Sequence, residues 1–210
     1  MGKIGGAYDD RIRGSRAEEF YRSPVYSALE LGFVGRRRCF EEARRYAFAL
    51  AYGPGRITLV DAALGGQGIP IDCSEDIPLQ LFAKLSSALP GAALGIDLGA
   101  VKNGVVMVWR GFPLLHVVAP GEELRRILAS INSVAEVAIG SSPYVDPSTV
   151  FEELRRLCGS IHIKLVDERK AALGRYWLRR KYPNLAEDEI DALTFVLSPG
   201  IALDICRKPL

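Results

Sequence analysis

The chain has few of the residues that most enzymes use to hold a transition metal or to activate a nucleophile. It contains two histidines and four cysteines in 210 residues. Cys39, Cys73, Cys158 and Cys206 lie far apart, which excludes the paired spacing of a zinc site, and they read as buried thiols of a reducing compartment. His116 falls in an apolar stretch and His162 in an alternating one, so both read as structural or exposed. No serine sits in an elbow motif. Gly65-Gly66-Gln67-Gly68 lacks the lysine and spacing of a phosphate loop and reads as a turn. No apolar run approaches the roughly 18 residues that span a bilayer. The polar start through Asp9, Asp10, Arg11 and Arg13 lacks a signal-peptide core. These absences predict a soluble, cytoplasmic protein with no membrane partner. Internal repeats and low-complexity segments are also missing.

Charge of one sign is lacking too. Basic and acidic residues number 27 and 25, divided as 12 and 11 up to residue 90 and as 15 and 14 beyond it. Overall charge therefore does not announce a polyanionic partner, but local charge says more. Arg36, Arg37, Arg38, Arg44 and Arg45 crowd one predicted helix, and Arg175, Arg179, Arg180 and Lys181 another. Such clusters either bind phosphates or form solvated faces.

What is present is ample apolar material, 49% of the chain, in an ordered succession of elements. The patterning predicts helices over 16–32 and 37–52, strands over 57–63 and 69–73, and a helix over 78–89. A boundary is expected at Pro90-Gly91, which leaves 1–90 as a small α/β region and 91–210 as a second domain. Beyond it, strands are predicted over 93–98, 104–110, 112–119, 136–141 and 161–167. Helices are predicted over 122–132, 148–158, 169–181 and 187–198. Three antiparallel strands followed by right-handed crossovers make a mixed five-stranded sheet with helices on its faces.

The segment Leu94-Gly95-Ile96-Asp97-Leu98-Gly99 carries the strongest chemical signal. Alternation places Leu94, Ile96 and Leu98 on one face and sets Asp97 between two glycines on the other. A carboxylate in a half-buried strand is costly without compensation, and a metal ion or phosphate would suit the space. The plainer reading is an acid on an edge strand, facing water. Further acids end a strand at Asp167-Glu168-Arg169 and open the last helix at Glu187-Asp188-Glu189-Ile190-Asp191. The helix dipole accounts for Glu187, Asp188 and Glu189. It accounts less well for Asp191, which starts an almost wholly apolar stretch, while Ala192 lets that helix approach the sheet closely. Carboxylates gathered at one point need protons or cations, and oxygen ligands select magnesium or manganese. A pair of such ions suits phosphodiester hydrolysis.

Taken together, Gly95-Ile96-Asp97-Leu98-Gly99, Gly104-Val105-Val106, Val137-Ala138-Ile139-Gly140, Val166-Asp167-Glu168-Arg169 and Asp188-Glu189-Ile190-Asp191-Ala192-Leu193 resemble the RNase H-like nucleases. Within them the pattern looks most like RuvC-type Holliday junction resolvases and YqgF-type resolvase-like proteins, over about residues 93–200. The resemblance implies a metal-dependent endonuclease for branched DNA or structured RNA, with Asp97, Glu168, Asp188 and Asp191 as catalytic ligands of Mg2+ or Mn2+, two ions in all. Arg169 matches the arginine of the Asp-Glu-Arg motif. Lys102, Arg175, Arg179, Arg36 and Arg37 are the further candidates for nucleic-acid contact, and analogy implies a homodimer. The pattern departs at Glu136, too early in its strand to match the family's glutamate there. It departs again at Lys170-Ala171-Ala172, where hydroxyl residues are usual. Two alternatives stay open: a catalytically inactive RNase H-fold binding or scaffold protein, and a nucleotide binder of the actin and sugar-kinase type, which requires two such domains.

Overall fold

A computed structural model describes residues 31–141, 145–159 and 161–206. The helix expected over 16–32 lies outside them except for its end, which is instead the start of a strand. This strand, β1 (Leu31–Val34), is followed by α1 (Arg37–Arg44), β2 (Leu50–Tyr52), β3 (Ile57–Asp61), β4 (Ile69–Ile71) and α2 (Ile77–Ala88). The strands form a parallel sheet in the order β2-β1-β3-β4. Asp76 caps α2 by accepting from the Leu79 amide at 3.2 Å, with Pro78 in the first turn where its missing N–H costs nothing.

The helix expected over 37–52 is half that length. Its apolar face, Cys39, Phe40 and Ala43, is buried as expected. After Arg44, however, the backbone groups of residues 46–48 pair with the outer edge of a neighbouring strand, through Phe48 N to Leu114 O at 3.1 Å and His116 N to Tyr46 O at 2.9 Å. An exposed strand edge offers unpaired donors and acceptors, and satisfying them outweighs helix periodicity here.

The second unit runs β5 (Ala92–Asp97), β6 (Lys102–Trp109), β7 (Phe112–Pro120), α3 (Gly121–Ser130), β8 (Glu136–Ser141), α4 (Ser148–Leu154), β9 (His162–Asp167), α5 (Glu168–Lys181), α6 (Glu187–Leu197) and β10 (Ile201–Leu203). The sheet order is β10-β9-β8-β5-β6-β7. β5, β6 and β7 form the antiparallel meander, and β8 and β9 add in parallel. This mixed sheet, an antiparallel meander extended by parallel crossover strands, is the one expected from the succession of elements. β10 was not expected; it pairs antiparallel with β9 and extends the sheet to six strands.

One face of the large sheet carries Leu94, Ile96, Val105, Met107, Val137 and Ile139 into a core shared with the parallel sheet. The other face is covered by α6 and α5. α6 buries Ile190, Leu193 and Phe195, each worth about 1.5–3 kcal/mol, and its close seat depends on missing side chains. A Cβ on Gly95 would collide with the carbonyl of Ala192, and one on Gly104 with that of Asp188. The space beside Gly95 is thus taken by helix backbone rather than left open for an ion.

The cysteines are a correction. None of the four is a free thiol. Cys39 joins Cys73 and Cys158 joins Cys206, each pair with Cα atoms 5.5 Å apart, within disulfide range. Pairings that close 34 and 48 residues of chain depend on tertiary packing and leave no mark in local spacing. No helix among the described residues is long and apolar enough to cross a membrane.

Candidate active site

Asp97 ends β5, which is hydrogen-bonded on both sides. The water-facing edge position is therefore ruled out. Its register partner in β6 is Gly104, the residue over which the first turn of α6 lies. Two glycines thus seat α6 so that Asp188 and Asp191, three residues apart on the helix, face the end of β5. Glu168 arrives from the other side. It opens α5 immediately after β9, and its Oε1 lies 3.2 Å from where a Cβ on Gly140 would stand. Gly140 is the residue after Ile139, the register partner of Ile96. A Cβ on Gly140 would strike the Phe195 ring first, at 2.4 Å, so the missing side chain chiefly seats that ring of α6, with the Glu168 carboxylate beside it.

Electrostatics bind the four acids into one group. Burial pushes the Asp97 carboxyl up to about 7, and the charges of Asp191, Glu168 and Asp188 push the same way, against a smaller opposing effect of Arg175. Asp191 is pushed up to about 6, by burial first, with Arg175 opposing and Glu168, Glu187 and Asp188 adding to the rise. Desolvation and like charge both disfavour ionisation. The site is thus built to hold more negative charge than its own cations balance.

Two cations do approach. Lys102 Nζ stands 3.2 Å from Asp188 Oδ2, and the Arg175 guanidinium lies against Asp191 Oδ1. Even so, these two buried oxygens receive no hydrogen bond of acceptable geometry among the described residues. The ion pairs are close in distance and poor in direction, so proximity offsets charge without satisfying the lone pairs. Buried orphaned carboxylate oxygens are rare and costly. This donor set of hard anionic oxygens fits magnesium or manganese.

The four carboxylates do not close on a single point. The ligand atoms of Cys39, Asp61 and Cys73 form the only such trio found within 4.8 Å of one another among the described residues. That trio is not a metal site, because its sulfurs are joined and Asp61 is held by Arg36 through bonds of 2.5 and 3.0 Å. Two ions in a phosphodiesterase centre lie about 3.5–4 Å apart, so ligands of different ions are necessarily more widely spread. No three of the carboxylates of Asp97, Glu168, Asp188 and Asp191 are gathered within 4.8 Å of one another, so as they stand no three of these side chains share one ion.

The other expected residues scatter. Arg169 is exposed in the first turn of α5, its amide donating to Asp167 Oδ1 at 3.0 Å. Arg179 pairs with Glu187 at the mouth of the site. Arg36 is spent on the buried Asp61, whose carboxyl that contact holds below its usual range, and Arg37 pairs with Glu41 at 2.5 Å. Neither joins the acid cluster. Glu136 aligns with Ala93, four residues before Asp97, roughly 13 Å down the sheet, and pairs with Lys164 at 2.8 Å.

Glu189 departs from the helix-dipole expectation. It is 7% exposed, accepts from the Ala186 amide at 2.8 Å and meets His116 Nδ1 at 2.8 Å. This pins the first turn of α6 to β7. The sequence signal was a histidine in an apolar strand, which needs a buried partner. A cleft of about 680 Å3 lies apart from the acids, lined by Arg36, Arg38, Glu42, Cys73 and Asp76 among others. None of its lining residues carries a buried side-chain polar atom left without a partner.

No protein-family model matches the chain, and no curated protein matches it. Among solved structures it is similar to T. thermophilus RuvC, in a complex with a Holliday junction substrate. The identity is 12%, over 51% of this chain and 90% of that one, with a TM-score of 0.42. A likeness at that level bears on neither activity nor substrate.

Proposed function

We propose that this chain is a divalent-metal-dependent endonuclease that hydrolyses phosphodiesters in branched DNA or structured RNA. The observation that carries the reading is the electrostatic coupling of Asp97, Glu168, Asp188 and Asp191, which with burial raises the Asp97 carboxyl to about 7, while two of their buried oxygens are ion-paired but receive no hydrogen bond. Asp97 and Asp191, whose carboxyls burial pushes up, would hold Mg2+ or Mn2+ together with Glu168 and Asp188. Bound there, the ions supply activation of water and stabilisation of the leaving oxygen. The chain's own residues do the rest. α6 fixes the spacing of two acids by its backbone seat on Gly95 and Gly104. Arg169 and Lys102, both exposed at the rim, can contact the phosphates flanking the scissile one, and Arg175 and Arg179 line the same side.

A second reading, a nucleic-acid-binding scaffold that does not cleave, is favoured by one observation. Arg175 and Lys102 already offset part of the charge a metal would balance. Incubation with Mn2+ and labelled junctions, flaps, duplexes and structured RNAs separates the two. The nuclease reading expects cleavage of at least one branched or structured substrate by the wild type, and none by Asp97→Asn. Binding without cleavage under all these conditions supports the scaffold.

A further inference from the structure

We infer that the Cys39–Cys73 bridge is a thiol-exchange site, opened at Cys73 by a small amino thiol that enters the cleft lying apart from the acid cluster. The bridge ties the first turn of α1 to the segment between β4 and α2. Both cysteines line the cleft, and its volume of about 680 Å3 is in the range that takes a small molecule. The two ends of the bridge are unequal. Cys39 is 2% exposed and belongs to the core, whereas Cys73 is only partly buried at its margin. A thiolate in the cleft therefore reaches Cys73 Sγ first. It bonds to that sulfur as the bridge breaks, and the bonding pair leaves with Cys39 Sγ. A second thiol then attacks the adduct and releases Cys73 as a thiolate, so two small thiols are oxidised to a disulfide while the bridge is reduced.

The surroundings favour this polarity. Cys39 is the third residue of α1, within the turn whose amides find no partner in the helix, and no side chain caps that end. Arg36 and Arg38, just before it, line the same cleft. A helix amino end and nearby guanidinium groups favour thiolate over thiol, and a sulfur that leaves as a stable thiolate leaves faster. Asp61 opposes this, with a carboxylate oxygen within 4.8 Å of both sulfurs. Arg36 cancels that charge through bonds of 2.5 and 3.0 Å, which leaves Arg38 and the helix end to act on the sulfur. Glu75 and Glu123 also line the cleft, so a thiol that carries an ammonium group enters more readily than an anionic one. Glu42 and Asp76 line it too and are paired outward with Arg45 and Arg126. The other bridge has no such asymmetry. Cys158 and Cys206 are both exposed, and Cys158 follows the carboxyl end of a helical turn, Arg155–Leu157, where negative charge is disfavoured.

The test uses the full chain and cysteamine, with samples taken before completion, quenched in acid, blocked with N-ethylmaleimide and mapped by mass spectrometry. At the Cys39–Cys73 bridge the adduct is expected on Cys73 and the blocked thiol on Cys39, over the reverse by roughly tenfold. At the Cys158–Cys206 bridge the two adducts are expected within about threefold of each other. Arg38→Gln is expected to slow exchange at Cys73 roughly threefold, Arg38→Lys to restore most of the rate, and neither to alter the other bridge. Compared per thiolate, mercaptoethanesulfonate is expected to lose roughly threefold against cysteamine at Cys39–Cys73 and not at Cys158–Cys206. Adducts shared equally between Cys39 and Cys73, no adduct on either, or a rate indifferent to Arg38→Gln overturns the inference. So does a response to thiol charge that is the same at both bridges.

Discussion

Lys102 Nζ stands 3.2 Å from Asp188 Oδ2 across the mouth of the acid cluster, and Arg175 takes the equivalent place at Asp191. The two cations differ in worth. Lys102 is 61% exposed, so its pair is screened and contributes at most about 1 kcal/mol. Arg175 faces a carboxylate that is mostly buried, and its removal leaves that charge uncompensated. Both compete with any metal ion for the same oxygens.

Arg175→Ala is accordingly expected to lower the melting temperature of the metal-free protein and to enlarge the rise in melting temperature on adding Mn2+. Lys102→Ala should change the metal-free value little. Differential scanning fluorimetry with and without Mn2+ reads both. An Arg175→Ala protein that melts like the wild type and gains no more from metal contradicts the competition.

The raised carboxyls fix the sign of the pH dependence. Asp97 and Asp191 titrate near 7 and 6 when folded, above the unfolded value of about 3.9, so the folded state binds protons more tightly. Their contribution to stability is fully present below about pH 4 and is lost as the pH rises through 6 to 7. Metal-free protein should therefore lose on the order of a few kcal/mol from these groups between pH 5 and 8. Asp97→Asn should flatten the slope, as should saturating Mg2+. Denaturant melts across that range measure it.

The seat of α6 makes a steric prediction. Gly95→Ala places a methyl against the Ala192 carbonyl and should cost at least 1–3 kcal/mol by overpacking, with loss of metal binding because Asp188 and Asp191 move. Gly121→Ala, where a Cβ meets nothing within 4 Å, should be nearly neutral. Paired thermal melts compare the two.

The two disulfides close loops worth about 4 kcal/mol each in the chain-entropy account. Reduction should lower the melting temperature by roughly 20 °C. Replacing Cys158 and Cys206 by serine should reproduce about half of that. A reduced protein that melts at the same temperature would show that the bridges add nothing.

Much of this site is legible in the residues because its logic is local. Asp97 stands out by alternation, Asp191 by being an acid in an apolar helix, and Glu168 by ending a strand. The order of the large sheet follows from the succession of elements and the handedness of crossovers. What stayed hidden depends on distant packing. Residues 46–48 leave helix periodicity to pair with the edge of β7. β10 is three residues long, and Cys158 and Cys206 meet only once it docks. Arg175 reads as one of a basic cluster on its helix, and only the approach of α6 turns it toward Asp191. Glu189 reads as a dipole-facing acid until the fold sets it against His116.

Calorimetric titration of the protein at pH 8 with Mn2+, for the wild type and for Asp97→Asn and Asp191→Asn, tests the carboxylate cluster most directly. The account predicts saturable binding by the wild type, near two ions per chain, and loss of that binding in each variant while circular dichroism shows the fold intact. Absence of binding by the wild type, or binding that survives both substitutions, would contradict it.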